Sequence, residues 1–425
     1  MTARMHWAVT AAVMGLALGT SVAAHAEGVT LTVWHNTQDT PGVLGLYEAY
    51  EKASGNKIEL IGIPADDFQA TTLTRWASGD RPDVLEYFPN LANLDRLNPS
   101  QNLVDLSDED FVARSAIYEL GGRASDGKVY AAITTFPETW GLYYNKKVLA
   151  DHGLTPATTF AEVLAQCPVL SKAGIATLHQ AGGSVWPVYA GPLVYASGIA
   201  EPDWVADVVD RKARFDDPDS PWVLAMQAWI DMRDAGCYNS DMTTATFEQS
   251  ARAVYGGEAA YQMIHSNIAA VYLDVAGGDA AVLDETVGFV GVGARTPATV
   301  MNAGPIGSFM VPKTGDAARE AAALDFIRFV TGAGYEDYIQ ASGTFPIQDG
   351  VADPANTSQL LRDIKAAYDK GPRVILINQN VPGGDGSGLQ VVSEVSVGQL
   401  TPQEAAAQLQ QGVAAAAQAQ GLPGW

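Results

Sequence analysis

The sequence predicts an α/β protein of at least two domains, each built on a largely parallel sheet with helices on its faces. Three observations lead there. Strand-like and helix-like segments alternate over the first hundred residues. The pattern restarts near Thr139. The chain, at 425 residues, is too long for one compact core.

Residues 30–34 alternate apolar and polar side chains as a half-buried strand does. Leu44 to Ala53 reads as a helix, Lys57 to Ile63 as a second alternating strand, Asp67 to Ala77 as a helix, and Pro82 to Tyr87 as a short buried strand. In such sheets ligands gather at the carboxyl ends of the strands, here Trp34 through Asp39, Asp66 with Asp67, and Tyr87 through Asn90. In the second block Leu142 to Tyr144 is strand-like, Phe160 to Leu170 helical, and Ala176 to His179 a short strand. Trp222 to Ala235 is a helix that Pro221 opens and Gly236 closes. Residues 287–293 and 309–312 return to strand character, and Ala317 to Ile339 reads as one long helical stretch. Thr401 to Ala417 forms a last helix, whose Thr-Pro-Gln-Glu opening supplies an N-cap and a capping-box glutamate. No Pro/Ser-rich linker separates the blocks, so short segments must carry the chain between them.

The first 26 residues read as an export signal. Arg4 supplies the positive start, Ala8 to Ala24 the apolar run, and Ala24-His25-Ala26 the small-x-small cleavage pattern before Glu27. The apolar run falls short of the roughly 20 residues a spanning helix needs. No cysteine stands near the cut to accept a lipid anchor, so the mature chain is expected to be freely soluble. The 48 acidic against 25 basic residues exclude a nucleic-acid partner, since nothing would neutralise phosphates. Scattered rather than clustered, the acids keep copies apart, and a monomer is expected. The only cysteines, Cys167 and Cys237, are either a disulfide or two buried thiols. Six scattered histidines offer no metal-ligand spacing, and no Gly-x-Ser-x-Gly elbow occurs to suggest a serine hydrolase; no metal and no cofactor are expected. The acid count leaves a glycoside hydrolase, which needs two facing carboxylates, as the rival class.

An ordered set of short motifs then narrows the reading. Leu31-Thr-Val-Trp-His35, Ser78-Gly-Asp-Arg-Pro-Asp-Val84, Asp126-Gly-Lys-Val-Tyr-Ala131 and Leu142-Tyr-Tyr-Asn-Lys146 come first. Gly256 to Met263, Val311-Pro-Lys313, Ala323 to Val330 and Thr401 to Ala406 follow. Together the set resembles the extracellular solute-binding proteins of carbohydrate ABC importers, the group that includes maltose-binding protein. The resemblance spans nearly the whole mature chain. It implies a two-lobed, hinged periplasmic-binding-protein fold of the second type, a protein that binds and does not catalyse, and a place in the periplasm. The partners it implies are a small carbohydrate and the permease subunits of a membrane transporter. The first lobe would comprise residues 27–135 and 296–345, the second 138–290 and 346–425. Crossovers would lie near 133–137, 288–296 and 342–347.

A sugar presents hydroxyls and flat faces of C–H bonds, so its site needs aromatic planes together with carboxylates and amides. After the first strand, Asn36, Gln38 and Asp39 are the candidates, the alternative being a solvated loop that caps the next helix. Tyr87 and Asn90 follow the third strand, with Tyr87 alternatively a core residue. Glu138 and Trp140 stand at the first crossover, where relatives carry a cleft carboxylate; Glu138 is otherwise a salt-bridge partner locking the lobes, and Trp140 a core residue. In the second lobe the candidates are Trp186, Gly183 for close backbone approach, Asn267 and Asp385. Where maltose binders carry a stacking tryptophan, this chain runs Pro382-Gly-Gly-Asp-Gly-Ser-Gly388, which favours a smaller or differently shaped sugar. The remaining alternative is a polyol or other small organic solute.

Overall fold

The computed structural model describes residues 28–425 apart from 38, 65–67, 185, 306, 356, 383, 420 and 423. The export signal, Gln38, Asp66 and Asp67 therefore lie outside the described residues.

Described strands, in chain order, are β1 (Thr30–Asn36), β2 (Lys57–Ile63), β3 (Val84–Glu86), β4 (Ala132–Ile133), β5 (Glu138–Asn145), β6 (Ala176–Leu178), β7 (Ala259–His265), β8 (Val287–Gly291), β9 (Thr299–Asn302), β10 (Ser308–Met310) and β11 (Arg373–Ile375). They form two sheets. The first has the order β2-β1-β3-β10-β4, with β1, β2 and β3 parallel and β10 antiparallel to both neighbours. The second has the order β11-β9-β5-β7-β6, with β8 also paired to β5. Both sheets are mixed: β10 is the antiparallel strand of the first, and in the second the central β5 runs antiparallel to β7, β8 and β9.

Side-chain alternation decides which core each strand feeds. In β1, Leu31 and Val33 join a core with Phe309, Phe326 and Tyr47, while Trp34 turns to the opposite face with Phe68, Trp76 and Leu85. The second sheet likewise packs between two clusters. One contains Leu142, Met226, Trp229 and Leu409, the other Tyr143, Tyr272 and Ile364.

Helix ends follow local sequence chemistry. Thr40 caps Pro41–Ser54 and Gly55, at φ 76°, ends it in the left-handed conformation. Thr159 and Glu162 form a capping box on Phe160–Lys172, and Thr401 exchanges the same bonds with Glu404 at the start of Pro402–Ala419. The expected single helix over 317–339 is two, Ala317–Val330 and Tyr335–Ser342. The chain turns at Gly332 and Gly334, where any side chain on Gly334 would strike the Phe329 ring at 2.5 Å.

Cys167 and Cys237 are bonded to each other across 70 residues of sequence, tying helix Phe160–Lys172 to the turn after helix Pro221–Asp234. The bond itself, between two residues buried in one cluster, decides between the disulfide and the two buried thiols that spacing alone left open.

The chain passes between sheets over 134–137, from β4 to β5, and over 303–307, from β9 to β10. After helix Tyr335–Ser342 on the first core, it returns to pack helix Gln359–Lys370 on the second. The middle crossover differs from the expectation of 288–296 and of a first lobe resuming at 296. Residues 292–298 are an excursion: β8 and β9 occupy one lane along β5, and β9 is a strand of the second sheet. The four residues of β9 are too few to show a period, so sequence alternation passes over them. Among the described residues no helix is long and apolar enough to cross a membrane.

Candidate functional site

The strand directions bring all these passages to one edge of each sheet. The carboxyl ends of β1, β3 and β4 and the start of β10 face the second sheet. The start of β5 and the ends of β7, β9 and β11 face the first. Chain reversals at these ends place loop residues, not strand interiors, along the gap between the sheets.

On the second side, Glu138 is the first residue of β5. Its two carboxylate oxygens accept from Asn267 Nδ2 and Asn302 Nδ2, both at 3.1 Å. Asn302 closes β9 and its Oδ1 accepts from Gly304 N–H at 2.8 Å, so Glu138 is anchored to the start of the crossover. Thr139 N–H donates to Ser266 Oγ at 3.1 Å, joining β5 to the 3-10 turn Ser266–Ile268 that carries Asn267.

Beside this group runs an aromatic series. The Trp140 ring meets the His265 ring edge-on at 5.1 Å, His265 stacks on Trp186 at 5.3 Å, and Trp186 tilts against Phe247 at 5.8 Å. Trp140 is a core residue, 8% exposed, and its indole N–H finds no acceptor among the described residues. Trp186 is half-buried at the start of helix Trp186–Ile199. Burial holds the His265 imidazole below its ordinary value, against the opposite pull of the Glu138 charge.

On the first side, β1 ends at Asn36 and the chain turns so that Asp39 N–H donates to Asn36 C=O at 3.0 Å. The Asp39 carboxylate points inward, pairing with His35 Nδ1 at 3.0 Å and hydrogen-bonding Glu86. Thr40, not Asp39, caps the following helix. Glu86 is fully buried and accepts from Asn36 N–H at 3.1 Å and Gly307 N–H at 3.0 Å. Burial raises both carboxyls above their usual range, Glu86 well above it, with the Asp39 charge adding to the shift of Glu86. Asn90 Oδ1 accepts from Asn93 N–H at 2.9 Å and so caps helix Leu91–Arg96. Its backbone lies against Gly304, where an added Cβ would come within 2.7 Å of Asn90 N. Asn90, Gly304 and Asn380 line a cavity of about 200 Å³ between the two sides, and Phe136, Asn267 and Phe345 line a second of about 400 Å³.

The structure thus brings Glu138, Asn267 and Trp186 together across β5, β7 and the helix after β6, and places Asn36, Asp39 and Asn90 at the strand ends opposite. Tyr87 differs from the expectation of a cleft position. Fully buried, it packs with Phe68 and Phe88, because alternation past β3 sends residues 85 and 87 to one face and Glu86 to the other. Gly183 does allow close backbone approach, but to protein: its N–H donates to Ala245 C=O at 2.9 Å, and a Cβ would lie 2.4 Å from Thr244 O. Asp385 lies in the first turn of helix Gly384–Ser396, and its side chain is outside the described residues, as is Gln38. Gly388, in the same run, lets that helix close on Tyr189, whose ring would be 2.5 Å from a Cβ. Sequence reasoning missed Glu86 and Asn302. The signal for Glu86 was present, as an acid between Leu85 and Tyr87 in an otherwise apolar strand; Asn302 left none.

The family described as bacterial extracellular solute-binding protein matches residues 35–337. No curated protein is similar enough to count as a match. Among solved structures, the chain is similar to a chitin oligosaccharide binding protein, with a TM-score of 0.78 at 19% identity over 92% of this chain and 99% of that one. It is similar to a putative binding protein from Bacillus subtilis in an open conformation, with a TM-score of 0.76 at 19% identity over 92% and 98%. A sugar transporter protein from Bacillus licheniformis in complex with stachyose gives a TM-score of 0.67 at 18% identity over 90% and 98%. These likenesses show a shared two-lobed α/β fold.

Proposed function

The chain belongs to the bacterial extracellular solute-binding protein family, and from that premise we propose that it captures a mono- or oligosaccharide between its two lobes for an ABC importer. The observation that carries the sugar assignment is the pairing of Glu138, held by Asn267 and Asn302, with the aromatic series that includes Trp186. Carboxylate and amide groups match hydroxyls that both donate and accept, and an aromatic plane matches the C–H face of a sugar ring. Asn36, Asn90 and the turn that carries Asp39 answer them from the first lobe. Structural relatives named for chitin oligosaccharide or bound to stachyose support the same ligand class.

Capture proceeds by population shift. Ligand that touches both lobes favours the closed form by the contacts it makes only there, and the closed form is what the permease subunits receive. In this reading the protein is exported to the periplasm, cleaved after Ala26, and acts as a monomer without lipid anchor or cofactor. The carboxyl groups serve as hydrogen-bond acceptors, not as a hydrolytic pair.

The test is a thermal-shift screen of the refolded mature chain against mono-, di- and trisaccharides, polyols and amino acids, followed by calorimetry on the hits. At a hundred times its dissociation constant, a ligand stabilises by about 2.7 kcal/mol, a few degrees for lobes of this size. A shift with one sugar class is expected. A shift with polyols or amino acids alone would replace the sugar assignment, and turnover of a chromogenic glycoside would overturn the binding role.

A further inference from the structure

The crossover from β9 to β10 is gripped at both ends by carboxyl groups, one from each lobe. At its start, Glu138 is bonded to Asn302. At its end, Gly307 N–H donates to Glu86 Oε1 while Asn36 N–H donates to Glu86 Oε2. One buried side chain thereby joins the turn after β1 to the crossover. Gly307 sits at φ 80°, and a Cβ there would come within 2.3 Å of Thr135 Oγ1. Thr134 Oγ1 donates to Gly307 C=O at 2.7 Å, so the first crossover is fastened to the same residue. Gly307 is the junction of two interlobe passages, and Glu86 holds it.

We propose that Glu86 is a positioning residue for ligand capture, coupling the turn that ends in Asp39 to the interlobe crossover at Gly307 through its two acceptor oxygens. The inference rests on the reading that this turn meets the ligand. The ionisable groups around Glu86, among the described residues, are Asp39, His35, Tyr47 and Tyr338. None is an arginine or lysine. Two carboxyls this close, with one imidazole as neighbour, cannot both be charged, so one proton stays between Asp39 and Glu86. Tyr47 lies beside them, its hydroxyl buried and without a hydrogen-bond partner among the described residues, its ionisation opposed by burial and by the charge the carboxyl pair carries. Tyr338 Oη is occupied by Thr135 Oγ1 at 3.1 Å.

Because the fold raises the carboxyl pair, its favourable contribution is complete below the ordinary carboxylate value and is lost as pH rises through the raised one. Removing the shared proton sets two charges side by side in an apolar site and drives the Asp39 turn outward. Ligand affinity then falls on the alkaline side without any ligand group titrating.

The experiment is calorimetry of the mature chain with its sugar from pH 6 to 9, on wild type, Glu86→Gln and Asp39→Asn. Wild type is expected to lose about tenfold in affinity across the alkaline limb, and both variants to lose the limb itself. Glu86→Gln should also bind about tenfold more weakly at pH 6.5, since its amide turns an N–H₂ toward one of two N–H donors. A role confined to folding would lower affinity and melting temperature alike at every pH and leave the limb in place, which overturns the proposal. So does a wild type without the limb, a result that needs no variant to fold. If wild type binds no sugar, the functional reading fails on its own. The coupling is then read from melting temperature against pH in the ligand-free protein, where the same limb must appear and vanish in the variants. Titration with Zn²⁺ or Mn²⁺ alone closes the set, because His35, Asp39 and Glu86 each offer an atom within 4.8 Å of the others. One equivalent bound by wild type and lost in Glu86→Gln would make the group a metal centre and overturn the shared proton.

Discussion

At the scale of single residues, the site separates groups that hold the fold from groups free to meet a ligand. Trp140 and Trp186 stand on either side of His265, yet their substitutions should read in different experiments. Trp140 is core, so Trp140→Ala should cost about 3–5 kcal/mol of stability in a urea melt. Trp186 is half-buried, so Trp186→Ala should cost about tenfold in sugar affinity, with little change in the melt. Glu138 makes charged hydrogen bonds worth on the order of 1.5–3 kcal/mol. Glu138→Ala should therefore weaken binding about ten- to hundredfold by calorimetry, and unchanged affinity would remove it from the site. His265 adds a pH dependence. The fold holds its imidazole neutral where the unfolded chain takes up a proton, so stability is present above the ordinary histidine value and falls as pH drops below it. The stability gap between wild type and His265→Gln should narrow from pH 7.5 to pH 5.5.

Among elements, the second lobe is fastened by the disulfide between helix Phe160–Lys172 and the end of helix Pro221–Asp234. Closing a loop of that length limits the unfolded chain by about 4 kcal/mol in the chain-entropy account. Cys167→Ser with Cys237→Ser should lower the lobe's melting temperature by on the order of 10 °C, leaving sugar affinity at low temperature unchanged. Helix Trp186–Ile199 illustrates a different constraint. Apolar on nearly every side and holding Pro187 and Pro192, it shows no 3.6-residue stripe because it is buried on most faces. It presents Trp186 to the site from its first turn, where proline is tolerated.

For the whole molecule, three passages join the two sheets and the candidate site lies along their facing edges, so the proposed capture predicts that ligand contact and lobe closure go together. Small-angle scattering of the mature chain should show a smaller radius of gyration when saturating sugar is added. Glu138→Ala should need more sugar to reach the same compaction. Compaction without any sugar present would mean that closure does not depend on ligand contacts.

How much of this was legible follows from the range of each signal. Periodicity, helix caps and turn glycines act over about four residues, so β1, β2 and the Phe160 and Pro402 helices are written in the sequence itself. The ordered motifs identified the family, and Glu138 and Asn267 were put forward as candidates because each stands close to such a motif. What the tertiary structure decided are matters of partnership. Whether Tyr87 or Glu86 faces the gap depends on which face of β3 the first core covers. Whether residues 299–302 are a strand depends on β5 offering a free lane, and whether two cysteines bond depends on their helices meeting. No stretch of sequence contains its own partner, so those choices belong to the packed molecule.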